Sequence, residues 1–371
     1  MKLNKFILLT PLIVIALVII PLLACLYSIK SESKPKEITY DSMFYDQWYL
    51  QNCPETIFIE DTTDEDGFST EEISLSSTID LGVNDFWGNF STSKNIITIA
   101  LIDSQVDINH QDLSNNIWAN KNEISDNGID DDDNGYVDDY YGWNFVNNSN
   151  EISSSSSNAD HGTHCAGIIA ANHNEIGVMG ILGNTNVKLM ILSIFESTDT
   201  ELNYNNVISA IEYAEEMGAD ICNISSVCLE GENYFNKVIT SSDMYFVVTA
   251  GNYQNQFFNG LDLNKFPRYP ACTASDNVIT VGSVDSEGQR SEFSNYSTNY
   301  LDVSAPGEYI YSTLSGNNYG YESGTSMATP IVTGIIGAYC YYYDVSVEEA
   351  VNLMLSNTDN SIAKFTLTAK N

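Results

Sequence analysis

Basic side chains are scarce in this sequence. Only 14 of its 371 residues are lysine or arginine, against 50 aspartates and glutamates, and the formal net charge is −36 at pH 7. A surface of this sign repels phosphate backbones, so the charge excludes nucleic acid as a partner. It favours solubility and the attraction of cations or basic substrates. The 43% of hydrophobic residues supplies a core for one large α/β domain or two small ones, and no internal repeat is found.

Cysteine is also sparse. The chain has seven, of which Cys25 falls in an apolar N-terminal run. The remaining six are an even number, which permits disulfides in an exported chain. Three lie in apolar helical or strand-like runs, where buried free thiols explain them as well as bridges do: Cys165, Cys222 and Cys340. Better candidates for bridges lie in loop-like contexts: Cys53, Cys228 and Cys272.

An apolar run over residues 6–26 follows Lys2 and Lys5. Lysines before apolar residues are typical of an export signal, and the run approaches the ~20 residues that a spanning helix needs. Lysines on both sides leave the orientation open, and residues 22–25 loosely resemble a lipoprotein cleavage site. We expect residues 1–30 to form a signal peptide or signal-anchor that places the rest outside the cytosol, secreted or anchored by this segment. Residues 31–37 form a polar linker.

From residue 96 onward, strand-like and helical patterns alternate. Apolar strand-like runs cover residues 97–102, 187–194, 220–225, 244–249 and 278–281. Helical patterns cover residues 161–171, 204–217, 324–341 and 347–356. This alternation predicts crossover units and a parallel sheet covered by helices on both faces. Functional residues should then lie at the carboxyl ends of strands.

The segment Gly-Thr-Ser-Met-Ala-Thr-Pro at residues 324–330 opens one of these helices. Gly324 allows a sharp turn, Thr325 or Ser326 can cap the helix, and Pro330 is tolerated near a helix start. Ser326 is therefore presented at a positive helix end, where free amides could hold a developing oxyanion. A capped core helix would give the same pattern, so the interpretation depends on the rest of the chain.

A carboxylate, a histidine and an amide stand at three other element ends. Asp103 ends an apolar, β-branched run, and His161 opens a small-residue helix in Asp-His-Gly-Thr-His-Cys-Ala-Gly. Asn252 ends a third strand after Ala-Gly. Together with Ser326, these residues supply the parts of an acyl-transfer site.

In these motifs and in their Asp, His, Ser order, the chain resembles the subtilisin-like serine proteases (subtilases, peptidase S8 family) from about Asp41 to Leu355. The resemblance implies a three-layer α/β/α fold with a mainly parallel central sheet over residues 38–371. It implies a calcium-dependent endopeptidase acting on polypeptide substrates, with Asp103, His161 and Ser326 as its triad and Asn252 as its oxyanion donor. Subtilases usually carry a folding propeptide, for which the linker has no room. Either folding is assisted otherwise, or the sequence lacks its true start.

The segment 223–228 occupies the place of the family's substrate-pairing strand, with Ser225, Ser226 and Val227 as substrate-binding residues. Val227 and Cys228 stand where relatives have glycine, which predicts a narrowed primary pocket. Gln105 also replaces a glycine, and a positive φ there would add strain of about 1–3 kcal/mol. These departures support an alternative function, a catalytically degenerate subtilase that acts as a calcium-stabilised binding protein.

An acidic loop over residues 130–139, which contains Gly135, is a candidate calcium site. Asp130, Asp132 and Asn134 reproduce the first half of an EF-hand loop, but Tyr141 stands where the bidentate glutamate belongs, so an EF-hand sensor is not completed. Adjacent carboxylates repel one another unless neutralised, which favours a cation over a merely solvated loop. The further candidate ligand in this loop is Asp138. Family resemblance suggests a second calcium site, with ligands Asp112 and Asn174 and the weaker candidate Asp41.

Overall fold

Seven parallel strands form the centre of the molecule. The computed structural model describes residues 38–50, 55–61, 69–75, 79–89, 96–195 and 202–367. The strands are β1 (Glu55–Asp61), β2 (Ser69–Leu75), β3 (Ile97–Asp103), β4 (Gly142–Asn144), β5 (Val187–Ser193), β6 (Ile221–Ile224), β7 (Tyr245–Thr249), β8 (Gln254–Asn255), β9 (Phe258–Asn259), β10 (Val278–Val284), β11 (Val303–Pro306), β12 (Ile310–Leu314) and β13 (Asn318–Glu322). The helices are α1 (Val83–Asn89), α2 (Asp160–Ala170), α3 (Tyr204–Glu216), α4 (Glu232–Thr240), α5 (Thr325–Tyr343) and α6 (Val347–Ser356).

The central sheet has the strand order β11-β10-β7-β6-β3-β5-β4, and every neighbouring pair is parallel. Three antiparallel ribbons, β1–β2, β8–β9 and β12–β13, are separate from it. Parallel strands need crossover connections, and these cover both faces of the sheet. All residues of β10 are buried, as a strand covered on both sides requires. The predicted three-layer α/β/α fold is confirmed.

Alternate side chains along the strands contact the two helical layers on opposite faces of the sheet. On one face, Ala100 and Ile102 of β3 pack in a cluster with Ile211 of α3 and Ile239 of α4. On the other face, Asn223 of β6 accepts a 2.8 Å hydrogen bond from the Thr333 hydroxyl of α5. The period of two along each strand therefore separates the α3–α4 layer from the layer that contains α5.

Most predicted elements are present with bounds shifted by one or two residues. The helix predicted over 161–171 spans Asp160–Ala170, and that over 347–356 is found as predicted. Helix α4 was not predicted, because its nine residues bury only Phe235 and Ile239 and so give a weak apolar period.

The cysteines of the described residues are buried free thiols: Cys165, Cys222, Cys228, Cys272 and Cys340. The preference for bridges at Cys228 and Cys272 was wrong. Cys228 pairs through its backbone with Tyr269, and Cys272 Sγ accepts a 3.4 Å hydrogen bond from the amide of Arg268. Burial raises the pKa of Cys228 to about 12. The loop-like sequence around Cys228 and Cys272 therefore gave no indication that both side chains are buried.

The predicted signal or anchor, the linker and Cys53 lie outside the described residues. Within the described ranges, no helix combines the length and the apolar character that crossing a membrane requires. The boundaries at residues 30 and 37 stay predictions.

The C-terminal segment packs between α1 and α5. The Phe365 ring is fully buried, 5.4 Å from the ring of Phe86 and 4.9 Å from that of Tyr339. Its amide donates to the carbonyl of Leu81 at 2.8 Å. A Cβ on Gly82 would lie 1.9 Å from the Phe365 carbonyl oxygen, so glycine is required for this contact, and its φ is +72°. Phe365 thus anchors the segment around it to helices α1 and α5.

We predict that Phe365→Ala lowers the free energy of unfolding by about 3–5 kcal/mol, the usual cost of removing a buried aromatic ring. Leu367→Ala, at a 36% exposed side chain two residues later, should change it by less than about 0.5 kcal/mol. Urea unfolding of both variants in a Ser326→Ala background, which avoids self-digestion, measures the difference. Equal effects would show that Phe365 does not fasten the segment.

Candidate active site

Asp103 lies at the carboxyl end of β3, an interior strand between β6 and β5, and is fully buried. Its Oδ1 accepts hydrogen bonds from the Ser104 amide at 2.7 Å and from His161 Nδ1 at 2.6 Å. Its Oδ2 is buried without a hydrogen-bond partner among the described residues. The carboxylate therefore directs its strongest interaction to one imidazole nitrogen.

His161 is the second residue of α2, and glycine at the next position brings the helix close to the β3 loop. A Cβ on Gly162 would lie 2.6 Å from the carbonyl oxygen of Gln105. The Gly162 amide also donates to Ser104 Oγ at 3.0 Å. The His161 side chain is 31% exposed, so the ring edge opposite Asp103 can meet a ligand.

The charges around His161 favour its protonated form. Burial lowers the pKa of His161, but the charge and hydrogen bond of Asp103 outweigh burial, the charge of Glu322 adds to them, and the pKa rises to about 9. His164, one turn farther along α2, is different: burial lowers its pKa to about 3. Its Nε2 lies 2.8 Å from the Ile310 carbonyl oxygen, which agrees with a structural role.

Ser326 is the second residue of α5, and its Oγ donates to the carbonyl of Ser225 at 2.9 Å. Cys165, one turn after His161, joins the two helices. Its Sγ lies within 4.8 Å of ligand atoms of Asp103 and His161 and 3.5 Å from the Ser326 carbonyl oxygen. Cys165 therefore links the Asp103–His161 pair to the backbone of Ser326, while the Ser326 hydroxyl bonds to the backbone of the predicted substrate strand.

Pro330 is the sixth residue of α5, inside the helix but near its start as predicted. A residue at this position would normally donate its amide to the carbonyl four residues earlier, which belongs to Ser326, and proline has no amide hydrogen. The freed Ser326 carbonyl accepts instead from Ser225 Oγ at 3.1 Å and from Cys165 Sγ at 3.5 Å. Proline thus allows the serine residue to be held by the two neighbouring elements.

Asn252 stands against the start of α5. Its Oδ1 accepts from the Thr325 amide at 3.0 Å and from the Thr325 hydroxyl at 2.7 Å. Thr249 Oγ1 donates to that hydroxyl at 2.6 Å. Since the amide oxygen is fixed in this way, Nδ2 is the end left for a ligand. A Cβ on Gly324 would lie 3.2 Å from Nδ2, so glycine keeps the approach open.

The predicted substrate-binding residues follow β6 and border the same site. Ser225 is nearly buried, and Ser226 Oγ is buried without a hydrogen-bond partner among the described residues. Val227 packs against the core, and a Cβ on Gly251 would lie 2.9 Å from its Cγ2. The valine therefore fills space next to the strand that carries Asn252.

The strain proposed at Gln105 is absent. Gln105 does not belong to the described residues with positive φ, so its replacement of glycine causes no left-handed strain. Its Nε2 donates to the carbonyl of Glu151 at 2.7 Å. The condition on which the predicted strain depended is therefore not met, because the loop after Asp103 turns without a positive φ at Gln105.

Three carboxylates converge in the acidic loop: Glu123, Asp130 and Asp132 offer oxygens within 4.8 Å of one another. Glu123 is only 4% exposed, and its Oε2 and the Asp132 Oδ1 are buried without hydrogen-bond partners among the described residues. Burial and the charges of Asp139 and Asp132 raise the pKa of Glu123, although two backbone amides oppose this. Such a donor set suits a hard cation with oxygen ligands. Sequence reasoning missed Glu123 because it precedes the acidic run.

The other two candidate ligands of this loop have different partners. Asn134 Oδ1 accepts from the Tyr136 amide at 2.8 Å, and its Nδ2 donates to Asp139 Oδ2 at 2.9 Å. The Asp138 carboxylate accepts from the amides of Asn127 and Gly128 at 2.8 and 2.9 Å. Among the described residues, Asp138 does not belong to the group of converging carboxylates.

The candidates for the second calcium site are also close together. Asn174 Nδ2 donates to Asp112 Oδ1 at 2.9 Å, and Asp112 Oδ2 accepts from Tyr319 Oη at 2.9 Å. The Asp41 carboxylate accepts from the amides of Glu175 and Asn174 at 2.7 and 3.3 Å. Burial raises the pKa of Asp41 to about 6 despite these bonds. Asp112 and Asp41 thus supply oxygens around one loop.

Residues 94–367 match the sequence model of the Subtilase family, Peptidase_S8. The chain belongs to this family. Among its relatives, Subtilisin-like protease 1 of Plasmodium berghei (strain Anka) is 34% identical over 322 residues, which cover 80% of this chain and 53% of that protein. The Plasmodium vivax protein of the same name is 37% identical over 256 residues, 65% of this chain and 40% of its own. This subtilase thus spans about half the length of these relatives, or less.

A bacterial relative is matched over more of its length. The Major intracellular serine protease of Bacillus subtilis (strain 168) is 32% identical over 272 residues, 72% of this chain and 75% of that protein. Among solved structures, a protease from Pseudoalteromonas arctica has a TM-score of 0.61 at 21% identity and covers 90% of this subtilase and 94% of its own chain. The Prenylagaramide maturation protease PagA has a TM-score of 0.56 at 23% identity, with 75% and 88% covered. These structures support the fold.

We predict that His161 titrates above the ordinary value of about 6.5 in a histidine NMR titration of Ser326→Ala protein. Glu322→Gln removes a negative charge that favours the imidazolium, so the midpoint of His161 should fall. Glu348→Gln, which removes an exposed charge in α6, should leave it unchanged. His164, whose pKa burial lowers, should not titrate between pH 5 and 10. An unchanged His161 midpoint in Glu322→Gln would contradict the electrostatic assignment.

Proposed function

We propose that this subtilase is a serine endopeptidase that hydrolyses peptide bonds through an acyl-enzyme. The observation that carries the proposal is the 2.6 Å hydrogen bond between His161 Nδ1 and Asp103 Oδ1, made beside the helix that presents Ser326. Ser326 Oγ is the nucleophile, and Nε2 of His161 in its neutral form accepts the proton as general base. Because the pKa of His161 is raised to about 9, this neutral form is favoured at alkaline pH. Asp103 fixes the Nδ1–H tautomer and stabilises the imidazolium. His161 then protonates the leaving amine, and water hydrolyses the acyl-enzyme by the reverse transfers.

Two donors stabilise the negative charge that forms on the substrate carbonyl. The Ser326 amide lies in the first turn of α5, where amides have no partner within the helix. Asn252 Nδ2 is the second donor, and the two bonds from Thr325 to its oxygen fix the amide before substrate arrives. Donors held in position in this way cost no reorganisation when the charge develops.

An extended polypeptide segment would pair with the backbone of Ser225, Ser226 and Val227. Main-chain hydrogen bonds give such pairing its affinity, and side-chain pockets give it specificity. Because Val227 fills space against Gly251, the primary pocket is narrow and favours smaller side chains. We place the enzyme outside the cytosol, since the N-terminal lysines and apolar run are those of an export signal.

Calcium is the proposed structural cofactor. Glu123, Asp130 and Asp132 would hold one ion, supported by the two buried carboxylate oxygens that lack partners among the described residues. The loop is coupled to the core because the Asp139 carboxylate accepts from Tyr213 Oη of α3 at 2.6 Å. Asp112, with Asn174 and Asp41, would hold a second ion. The ions neutralise adjacent carboxylates and so stabilise both loops.

A second candidate function is that of a catalytically degenerate subtilase that binds polypeptides with calcium-stabilised loops. Two observations favour it: the Ser326 hydroxyl donates to the Ser225 carbonyl rather than to the imidazole, and the Val227 side chain packs close to Gly251. The second observation agrees with the predicted narrowing of the primary pocket. Substrate turnover distinguishes the two functions, because only an endopeptidase loses it when Ser326 is replaced.

Ser326→Ala should abolish turnover in a peptide-library assay. Asn252→Leu should lower kcat about 10²–10³-fold with little change in KM, because its amide acts on the transition state. Ser323→Ala, three residues before the nucleophile and exposed, is the matched control and should retain activity. Turnover that survives in Ser326→Ala would refute the endopeptidase assignment, and a wild-type protein that binds peptides without cleaving them would support the degenerate alternative.

Calcium titration by calorimetry should show one bound ion fewer in Glu123→Gln than in Ser326→Ala protein with the loop intact. The melting temperature should rise with added calcium and fall with chelator, by about 2–4 °C for each kcal/mol of binding free energy. Asp133→Asn, an exposed aspartate of the same loop, should leave the ion count unchanged. An equal loss in both variants would indicate non-specific charge attraction.

A further inference from the structure

The hairpin that follows Asn252 exposes two adjacent aromatic rings. Strands β8 and β9 pair antiparallel, with Gln254 opposite Asn259 and Asn255 opposite Phe258. Phe257 is 76% exposed and Phe258 is 58% exposed. Rings left this open in the free protein can still release apolar surface from water when a ligand covers them.

The tip of the hairpin is held in one conformation by its own side chains. Asn255 Oδ1 accepts from the amides of Phe257 and Phe258 at 2.8 and 2.9 Å. Asn255 Nδ2 donates to Tyr253 Oη at 2.7 Å. A tip whose backbone is held in this way presents both rings at a lower ordering cost on binding.

The base of the hairpin is bonded to the strand end that carries the oxyanion donor. The Tyr253 amide donates to the carbonyl of Phe293 at 2.8 Å, and the Gly260 amide donates to that of Tyr253 at 2.8 Å. Asn252 itself forms a β-bridge with Ser294. The exposed rings therefore belong to a projection that begins at the active site.

The charge of the hairpin sets it apart from the chain as a whole. Residues 252–261 contain no charged side chain, in a protein with a formal net charge of −36. A neutral aromatic tip repels neither acidic nor basic chains and selects apolar ones. Its continuity with the active site favours a segment of the substrate over a second copy of the protein or a bilayer.

We propose that Phe257 and Phe258 form a secondary binding site for an apolar segment of the polypeptide substrate, outside the strand that pairs at the scissile bond. This inference rests on the proposed endopeptidase function and adds a preference for long, unfolded, apolar-rich chains. In this proposal, a short peptide bound in the cleft lacks the segment that would contact the two rings. The rings therefore act on KM for protein substrates and leave the chemical step unchanged.

Casein and a mixture of fluorogenic tetrapeptides are the two probes. Phe257→Ser/Phe258→Ser should lower kcat/KM for casein about tenfold, through KM, and leave tetrapeptide hydrolysis within twofold. Tyr234→Ser, which removes a 59% exposed aromatic ring from α4, is the matched control and should change neither. An equal loss on both probes would overturn the proposal, since the hairpin would then act by orienting Asn252.

Binding of fluorescein-labelled casein to Ser326→Ala protein separates this inference from the proposed function. Anisotropy should show about tenfold weaker binding when both phenylalanines are serine, even if wild-type protein turns over neither probe. Unchanged casein affinity overturns the proposal. If the substitutions leave casein binding unchanged but release the protein from phosphatidylcholine vesicles, the rings bind a membrane. If they leave casein binding unchanged but alter the mass of the protein in solution, the rings bind a second copy.

Discussion

The first turn of α2 lies against the loop that follows β3, and the geometry of the site depends on this contact. Gly162 permits it, because any Cβ there would collide with the carbonyl oxygen of Gln105. The approach brings the imidazole of His161 within 2.6 Å of a carboxylate that has no exposure to water. Without it, Asp103 would be a buried charge with no cationic partner, which is costly in a protein interior. One glycine thus makes the burial of the aspartate tolerable.

A second constraint lies in the helix that carries Ser326. Pro330 removes the hydrogen bond that would close the second turn of α5, and the Ser326 carbonyl turns to Ser225 and Cys165 instead. These partners belong to the segment after β6 and to α2. The same residue therefore contacts the proposed substrate strand and the histidine helix. The hydrogen bond missing from α5 therefore lets this helix contact both α2 and the segment after β6 at Ser326.

The sequence patterns predicted the residues that stand at strand and helix ends. Asp103, His161, Ser326 and Asn252 could be located because each follows an apolar run or opens a small-residue helix, where periodicity and turn chemistry are strongest. Glu123 could not be found in this way, since its part in the acidic cluster depends on how the loop folds back. Cys228 was wrongly expected to form a disulfide bridge for a similar reason. A buried segment without regular secondary structure has no periodic pattern of apolar residues.

Helix α4 and the β8–β9 hairpin were also beyond sequence reasoning. Helix α4 offers only two buried side chains in nine residues, so its pattern is too weak to read. The hairpin strands have two residues each, too short for an alternation to develop. At Gln105 the sequence allowed only a conditional prediction, because a family glycine does not reveal whether the backbone needs a positive φ. The φ of Gln105 is not positive, so the loop does not require the left-handed conformation.

The order of the elements along the chain also determines the order in which the residues of the site are synthesised. Asp103 and His161 are synthesised before β7, which leads to Asn252, and α5 is synthesised after all of them. Strand β3 lies between β5 and β6, so its neighbours are translated well before the serine helix. A nascent chain therefore carries the Asp103–His161 pair before the helix that carries Ser326 emerges. In the proposed endopeptidase, the nucleophile is thus the last of the three triad residues to be synthesised.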